Sequence, residues 1–434
     1  MRVLVKSYGC STNTADGEVL AGCLSQAGFE LTESIQEADV LVYNCCSVKG
    51  PTENRMIELM KRAPPEKKVI VTGCLPLTSS DRLQKAVRFD AVVGPAAGMR
   101  IVDVVKRVLA GEKVVALENA LHAKPVLSLP RLKRNRVVSV VPVSYGCLGA
   151  CAYCCVVFAR GRLRSYSTGE IVEKVECDLA SGAKEFWFTS QDTACYGRDL
   201  GTNLAALLKS VCAIPGDFRV RVGMMTPNFA MDMLDELVDG FRDEKVFKFV
   251  HLPVQSGDDM VLKSMNRCYT VKEFKAIVDA FRAAFPEVTL ATDVICGFPS
   301  ETKQAFDSTL RLIGEVKPDI VNVSKFFARP GTAAAALSEG LVAQAEIKRR
   351  SAEMARLARQ VSLERNQRWT GWKGKILIDE KGKIPGSWVG RNSAYKPVAV
   401  KSTSDLLGKT LHVKIVEAFN THLAGTIVER TSVA

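Results

Sequence analysis

Residues 137–155 read VVSVVPVSYGCLGACAYCC, an apolar run that breaks at a glycine and passes into cysteines spaced Cx3CxxC. A run of this kind reads as a buried strand of a parallel sheet. Cys147, Cys151 and Cys154 then fall in one loop at its C-terminal end. Three thiolates so close together can ligate three irons of a cubane cluster and leave the fourth iron open. A structural zinc site would call for a fourth Cys or His nearby. The loop offers only Cys155, and adjacent residues rarely both reach one metal. An open iron can chelate the amino and carboxylate groups of S-adenosylmethionine and pass an electron into its sulfonium, while the protein supplies orientation.

Five further strand candidates follow: EFWFTS at 185–190, FRVRVGM at 218–224, FKFVHLPV at 247–254, TLATDVICG at 289–297 and IVNVSKFF at 320–327. Helix-period segments separate them, with start signals such as Ser167-Thr168-Gly169-Glu170 and Thr270. Six strand–helix units predict an incomplete parallel barrel, a partial (β/α)6 TIM-like fold. A long polar helix over residues 343–368 follows, with a basic face that reads as solvated surface. Beyond it, short glycine-punctuated strands in KGKILIDEKGK, GSWVGRNSAYKPVAVK, GKTLHVKIVEAF and HLAGTIVER predict a small all-β barrel of the size of an oligonucleotide-binding module.

Upstream, strand patterns at residues 2–8, 39–43, 68–72 and 89–93 alternate with helix patterns at 16–27, 52–62, 80–87 and 99–109. They predict a flavodoxin-like parallel α/β domain with helices on both faces. Residues 111–129 show no clear periodicity and read as a connector. The expected divisions are therefore 1–127, 131–368 and 369–434. Within the first, Cys10 ends KSYGC, Cys74 ends VTGC, and Cys45-Cys46 end YNCC. C-terminal strand ends of a parallel sheet share one edge, so three cysteines distant in sequence converge beside helix N-termini that favour thiolates. Spacing alone does not choose between Cys45 and Cys46.

The 434 residues carry a net charge of +12 and 14 cysteines. That charge suits a polyanionic partner, and so few cysteines in so long a chain argue against a disulfide scaffold. No apolar run reaches membrane-span length, and the N-terminus enters a strand pattern directly, so no membrane association and a cytoplasmic location are expected.

The chain resembles the radical S-adenosylmethionine methylthiotransferases over nearly its whole length. KSYGCSTNTADGE, NCCSVKGPTENR and TGCLP are similar to the cysteine segments of that family's N-terminal domain, and YGCLGACAYCCVVFARGRLRS to its radical-cluster loop. HLPVQSGDDMVLKSMNRCYT, TDVICGFPSET and FFARPGT are similar to its later barrel strands, and the C-terminal barrel to its TRAM domain. The resemblance makes Cys46 the ligand, with Cys45 where a small residue is usual. Cys155 and Met225-Thr226-Pro227, where many relatives have Ser-His-Pro, depart from the pattern.

NCCSVKGPTEN and SQDTACYGRDLGTN look most like the archaeal and eukaryotic branch. That branch converts N6-threonylcarbamoyladenosine beside the tRNA anticodon to its 2-methylthio derivative; others act on isopentenyladenosine or a ribosomal protein. The resemblance implies two [4Fe-4S] clusters. One, on Cys147, Cys151 and Cys154, serves cleavage of S-adenosylmethionine and hydrogen abstraction from C2 of the base. The other, on Cys10, Cys46 and Cys74, holds the sulfur. Partners would be the anticodon stem-loop of tRNA, a sulfur donor and an electron donor such as flavodoxin or ferredoxin.

Further candidates for the cofactor lie along the barrel strands. Tyr153 can pack on adenine; Gln191 and Asp192 can accept from the ammonium or the ribose; Arg221 suits the carboxylate. Gln255, Ser256, Asp293 and Ile295 end or line later strands near a possible adenine pocket, and Arg329 can reach toward the nucleotide or the second cluster. For each, a satisfied rim polar group or core side chain is the plain alternative. Lys373, Lys375, Lys381, Lys383, Arg391, Lys396 and Lys401, with Trp388 and Tyr395 as stacking platforms, are the expected RNA contacts of the terminal module.

Overall fold

The computed structural model describes residues 1–47, 50–118, 121–122 and 124–428. Residues 119, 120 and 123 of the expected connector, and 429–434 at the end of the expected terminal module, lie outside them.

The first unit contains β1 (Arg2–Tyr8), β2 (Glu30–Leu31), β3 (Val40–Cys45), β4 (Lys68–Gly73), β5 (Ala91–Val93) and β6 (Val114–Ala116). They form one sheet in the order β2-β1-β3-β4-β5-β6, parallel at every pairing. The four expected strands are present. The short strands β2 and β6 are additional, and β6 lies in the segment read as a connector. At three residues it is too short for periodicity to reveal, and Ala91–Val93 supplies its hydrogen-bond partner. β3 is buried at every position, because the helices Ser11–Gln26 and Arg100–Leu109 cover one face and Gly50–Lys61 the other.

The second unit runs through β7 (Val138–Pro142), a short antiparallel hairpin of β8 (Ser144–Tyr145) and β9 (Arg164–Ser165), then β10 (Glu185–Thr189), β11 (Arg219–Val222), β12 (Phe249–His251), β13 (Thr289–Cys296) and β14 (Ile320–Lys325). Apart from the hairpin these are parallel, in two groups of three, β7-β10-β11 and β12-β13-β14. Bridges Val220↔Val246 and Met224↔His251 join the groups into an open six-stranded barrel wall. Phe186, Phe188, Val220, Val222 and Val250 point outward and are fully buried against the helices. The expected capping signals are realised: Ser167 and Thr270 each close a reciprocal capping box with the glutamate three residues on.

In the third unit β15 (Lys373–Lys381), β16 (Ser387–Arg391), β17 (Pro397–Lys401), β18 (Thr410–Ala418) and β19 (Leu423–Ile427) close into a barrel in the order β15-β16-β17-β19-β18. It docks at the N-terminal ends of the parallel barrel strands. Lys248, just before β12, donates its N–H to Ser393 O at 2.8 Å, and Lys184, just before β10, reaches Gly408 O at 2.8 Å. Buried Lys396 donates to Asp319 Oδ1 at 2.7 Å and to Asn366 Oδ1 at 2.7 Å. Arg365 of the long helix Gln344–Gln367 meets the same carboxylate at 3.3 Å. That helix is therefore not simply a solvated surface: Arg350 is also buried, paired with Glu301 at 2.7 Å.

The basic segment ahead of β7 ties the three units together. The Arg134 N–H approaches Glu18 at 3.4 Å, Lys133 pairs with buried Asp178 at 2.8 Å, and Asn135 donates to Asp379 O at 2.6 Å. Among the described residues no helix is long and apolar enough to cross a membrane.

Asp319 accepts from Lys396, Arg365 and the Leu290 N–H, and these cations hold its carboxyl below the ordinary range despite burial. Removing it strands two cations in the interface, a loss of about 3–5 kcal/mol for a buried pair. Asp319→Ala should therefore move the denaturant midpoint of the terminal barrel sharply down. Tryptophan fluorescence reads this directly, since Trp369, Trp372 and Trp388 all lie in or beside that barrel. An unshifted midpoint would contradict the docking described.

Candidate iron–sulfur and cofactor site

Each cysteine trio forms where a parallel strand runs into a tight turn. Gly9, Gly73 and Gly146 directly precede Cys10, Cys74 and Cys147, with φ of +144°, +90° and +77°. A side chain would not fit at any of the three: at Gly9 a Cβ would lie 2.4 Å from Cys46 Cβ. A Cβ at Gly73 would lie 2.4 Å from Cys45 O, and one at Gly146 2.0 Å from Arg162 O. Glycine thus lets the chain leave the strand and present the next residue at the sheet edge.

In the first trio the Cys10 thiol is hydrogen-bonded to Cys46, and both Cys10 and Cys74 feel the charge of Arg160. The Cys10 thiol is lowered to about 6, chiefly by the Cys46 hydrogen bond and then by Arg160, and the residue itself is exposed. Cys74 is raised by burial, with Arg160 pulling the other way. Cys45 takes no part: its Sγ turns into the core toward Tyr43 O at 3.4 Å, and burial drives its thiol well up.

In the second trio the Cys147 Sγ accepts from the Gly149 N–H at 3.2 Å, and Cys151 Sγ accepts from Arg267 Nη1 at 3.0 Å. Gly149 leaves the loop room around both sulfurs, since a Cβ there would sit 3.3 Å from the first and 3.7 Å from the second. Cys154 is half-buried, and desolvation raises its thiol. Cys155 points away, toward Ser47 Oγ at 4.0 Å and Ser47 O at 3.9 Å.

Arg160 ends the helix Val156–Arg160 that follows the second trio, yet its guanidinium lies in the first unit. It donates to Asn13 Oδ1 at 2.8 Å and to Asp16 Oδ2 at 2.7 Å, and Tyr145 donates its hydroxyl to the same Asp16. Nearby, Ser11 Oγ lies 2.8 Å from Thr189 Oγ1 at the end of β10. The C-terminal edges of the two parallel sheets therefore face each other, and each carries a trio of thiols. The donor sets suit iron–sulfur clusters: sulfur alone, beside glycines, with a guanidinium next to each trio to offset thiolate charge.

The other candidates divide. Asp192 is buried, its Oδ1 accepting from the Ala194 and Thr226 N–H groups while Oδ2 has no partner among the described residues. Gln255 has φ +67° and a buried, unpartnered Oε1. Those two orphaned oxygens are open to a donor. Asp293 holds His251 at 3.1 Å and Asn322 at 2.8 Å. Tyr153 packs edge-on against Phe298 at 6.4 Å, and Ile295 joins the same cluster. Gln191 Oε1 instead accepts from the Gly146 N–H at 2.7 Å, so it fixes the cysteine loop.

Three expectations are placed differently. Ser256 is fully buried, its hydroxyl hydrogen-bonded to Thr309 Oγ1 at 3.4 Å and accepting from the Asp258 N–H at 3.3 Å. Arg329 forms an ion pair with buried Glu53, binding the barrel to the helix Gly50–Lys61, while its Nη2 is buried with no partner among the described residues. Arg221 points below the rim, among Phe249, Tyr395 and Trp187. Of the expected RNA contacts, Lys373, Lys375, Lys381, Lys383 and Lys401 are exposed. Lys396 is buried against Asp319, Arg391 is paired with Asp379 at 2.9 Å, and Tyr395 packs between Phe247 and Phe249. Trp388 is half-buried and donates to Ser402 O at 3.3 Å.

Sequence reasoning missed Arg160, Arg267 and Cys195. Cys195 hydrogen-bonds Cys147 and lowers its thiol, and Cys147, Asp192 and Cys195 bring ligand atoms within 4.8 Å of one another. Arg160 and Arg267 stood inside quoted motifs, but nothing in their spacing reports a contact across 147 or 116 residues.

Comparison with known proteins agrees with this layout. The Radical SAM superfamily model matches residues 141–313, the model of Uncharacterized protein family UPF0004 matches 2–94, and the TRAM domain model matches 370–428. The chain is 42% identical to a probable threonylcarbamoyladenosine tRNA methylthiotransferase of Pyrococcus horikoshii, over 99% of this chain and 100% of that one. It is 35% identical to the Xenopus laevis threonylcarbamoyladenosine tRNA methylthiotransferase and 34% to the human one, covering 77% and 75% of them. The fold matches that of the radical S-adenosylmethionine methyltransferase TsrM from Kitasatospora setae with a TM-score of 0.57, at 13% identity, over 94% of this chain and 82% of that one.

The Cys10 environment gives a test on cluster-free protein. A thiol lowered to about 6 is largely thiolate at neutral pH and reacts as such. Alkylation of Cys10, followed by mass spectrometry across pH, should reach half its plateau rate near pH 6 and move to higher pH in Arg160→Met. Cys45 should stay unlabelled. A Cys10 profile centred at the ordinary thiol value would contradict the contact.

Proposed function

The chain belongs to the threonylcarbamoyladenosine tRNA methylthiotransferase family, and on that premise we propose that it converts N6-threonylcarbamoyladenosine next to the anticodon of tRNA to the 2-methylthio derivative. It is a radical S-adenosylmethionine enzyme, using a [4Fe-4S] cluster and S-adenosylmethionine. What carries the reading is the pair of thiol trios on facing sheet edges, joined through Arg160.

Cys147, Cys151 and Cys154 would hold the radical cluster; Cys10, Cys46 and Cys74 would hold a second [4Fe-4S] cluster. Bound there, the two groups supply one-electron cleavage of a sulfonium and a site for sulfur, chemistry that side chains alone lack. The chain's own residues orient and enclose. Gln191 fixes the first loop through Gly146, and Arg267 places a cation on Cys151. Asp192 and Gln255 each present a buried, unpartnered oxygen, suited to the ammonium or ribose hydroxyls of the cofactor. No general base is assigned, because hydrogen at C2 of adenine is not acidic. The exposed lysines of the terminal barrel, Lys373, Lys375, Lys381, Lys383 and Lys401, serve tRNA phosphates. An electron donor such as flavodoxin or ferredoxin and a sulfur donor complete the set, in the cytoplasm.

Nucleoside mass spectrometry of tRNA from cells with and without the protein should show the 2-methylthio nucleoside only where it is present. Accumulation of it in the absence of the protein, or of a modified ribosomal protein in its place, overturns the reading. Anaerobically reconstituted protein should hold about eight irons as two cubanes. Cys46→Ala should retain about half of these, and Cys45→Ala all of them. Equal iron in wild type and Cys46→Ala would remove the second cluster.

A further inference from the structure

Below the rim, a cleft of about 600 Å³ lies between the open barrel, the long helix Gln344–Gln367 and the terminal barrel, and none of the chemistry above uses it. Arg221, Phe249, His251, Ala291, Asn322 and Tyr395 line it. Tyr395 of the terminal barrel lines one side, and His251 and Asn322, both bonded to Asp293, line another.

Arg221 is the unusual group here. Its guanidinium carbon lies 4.9 Å from the Phe249 ring centre, 5.5 Å from Tyr395 and 5.6 Å from Trp187. Among the described residues it has no ion pair and no hydrogen bond. Of the other cations lining the cavity, Arg391 pairs with Asp379 at 2.9 Å and Lys396 with Asp319 at 2.7 Å, while Arg359 of the long helix lies exposed to solvent. Aromatic faces stabilise a guanidinium but satisfy none of its five N–H donors. A planar, bidentate carboxylate does.

Register places this group well below the rim. Phe249, against which Arg221 packs, stands opposite Thr289, while Asp293 is level with Asn322 further along β13. Four residues of strand separate Thr289 from Asp293, about 13 Å at roughly 3.3 Å per residue. A base held with C2 toward the cysteine rim presents its N6 substituent on another edge, free to enter the barrel. A threonylcarbamoyl group ends in a carboxylate and carries a flat urea unit that suits aromatic walls.

We propose that Arg221, with Phe249 and Tyr395, forms the pocket that receives the threonyl carboxylate of the modified adenosine and so selects this nucleoside. The inference rests on the functional reading above. Because Tyr395 belongs to the terminal barrel, that module also completes the substrate pocket.

The test uses the reconstituted holoenzyme and three synthetic anticodon stem-loops, differing only in the target base: threonylcarbamoyladenosine, the same nucleoside with its carboxylate as an amide, and unmodified adenosine. Fluorescence anisotropy should show wild type binding the carboxylate RNA at least about tenfold more tightly than the amide RNA, the worth of a hydrogen-bonded charge. Arg221→Gln should erase that difference, and Arg221→Lys should restore part of it. The proposal is overturned if wild type does not distinguish the two RNAs. It is overturned if Arg221→Gln keeps the difference, or weakens all three RNAs equally, as a phosphate contact would. A raised half-saturation for S-adenosylmethionine with the difference intact would return Arg221 to the cofactor. Failure of wild type to methylthiolate the carboxylate RNA sinks the function itself; product formation with unaltered discrimination in Arg221→Gln sinks this inference alone.

Discussion

A single guanidinium, Arg160, sits where the two parallel sheets meet, and the arrangement of the site follows from its burial. Leaving so strongly hydrated a charge in the interior is tolerable only with excellent partners. Asp16 and Asn13 supply them from the first unit, and Tyr145 completes the carboxylate's shell from the second. Removing any partner would strand a charge at the seam, so the two units are held in one relative position. The same side chain follows directly on the second trio and lies beside Cys10 and Cys74 of the first. One residue therefore sets both the docking of the units and the potential felt by one set of thiols.

The opposite end of the barrel is governed by the same logic. Six strands do not close a parallel barrel, and the N-terminal strand ends would leave polar backbone and the carboxylate of Asp319 exposed. The terminal barrel covers them through Lys396, Lys248 and Lys184. Two of the cations anticipated for RNA, Arg391 and Lys396, are used in this seal, while the exposed lysines carry the field outward. High positive charge in sequence thus divides into a structural share and a solvent-facing share, and only burial separates them.

Much of this was legible from the chain. Strands such as 68–72 and 185–190 declare themselves by continuous apolar runs, because both faces of a parallel strand are covered. The cysteine trios declare themselves by position, since a strand end fixes an edge. The Cys45–Cys46 ambiguity shows the limit. Adjacent residues point to opposite sides, and only the pairing Tyr8↔Cys45 with Cys10 beyond it decides which thiol meets the site. Arg329 and Ser256 show a second limit, because a polar residue after a strand can serve a ligand or a neighbouring element. Glu53, the partner of Arg329, lies 276 residues away and is fully buried, facts that no local pattern carries.

The interior of the barrel departs most from what apolar patterning leads one to expect. Outward residues of β10 and β11 are Phe186, Phe188, Val220 and Val222, an ordinary hydrophobic face. Their inward neighbours are Glu185, Trp187, Arg219 and Arg221, and β12 to β14 add His251, Asp293 and Asn322. Desolvating so many polar groups costs stability unless each is bonded. Most are: Glu185 takes the Trp187 indole N–H, and Asp293 takes two donors. The second oxygen of Glu185, Asp192 Oδ2 and Gln255 Oε1 are left without a partner among the described residues. The orphaned oxygens of Asp192 and Gln255 follow the C-terminal ends of β10 and β12, on the edge that carries the cysteine loop, where a polar molecule entering from that edge would meet them.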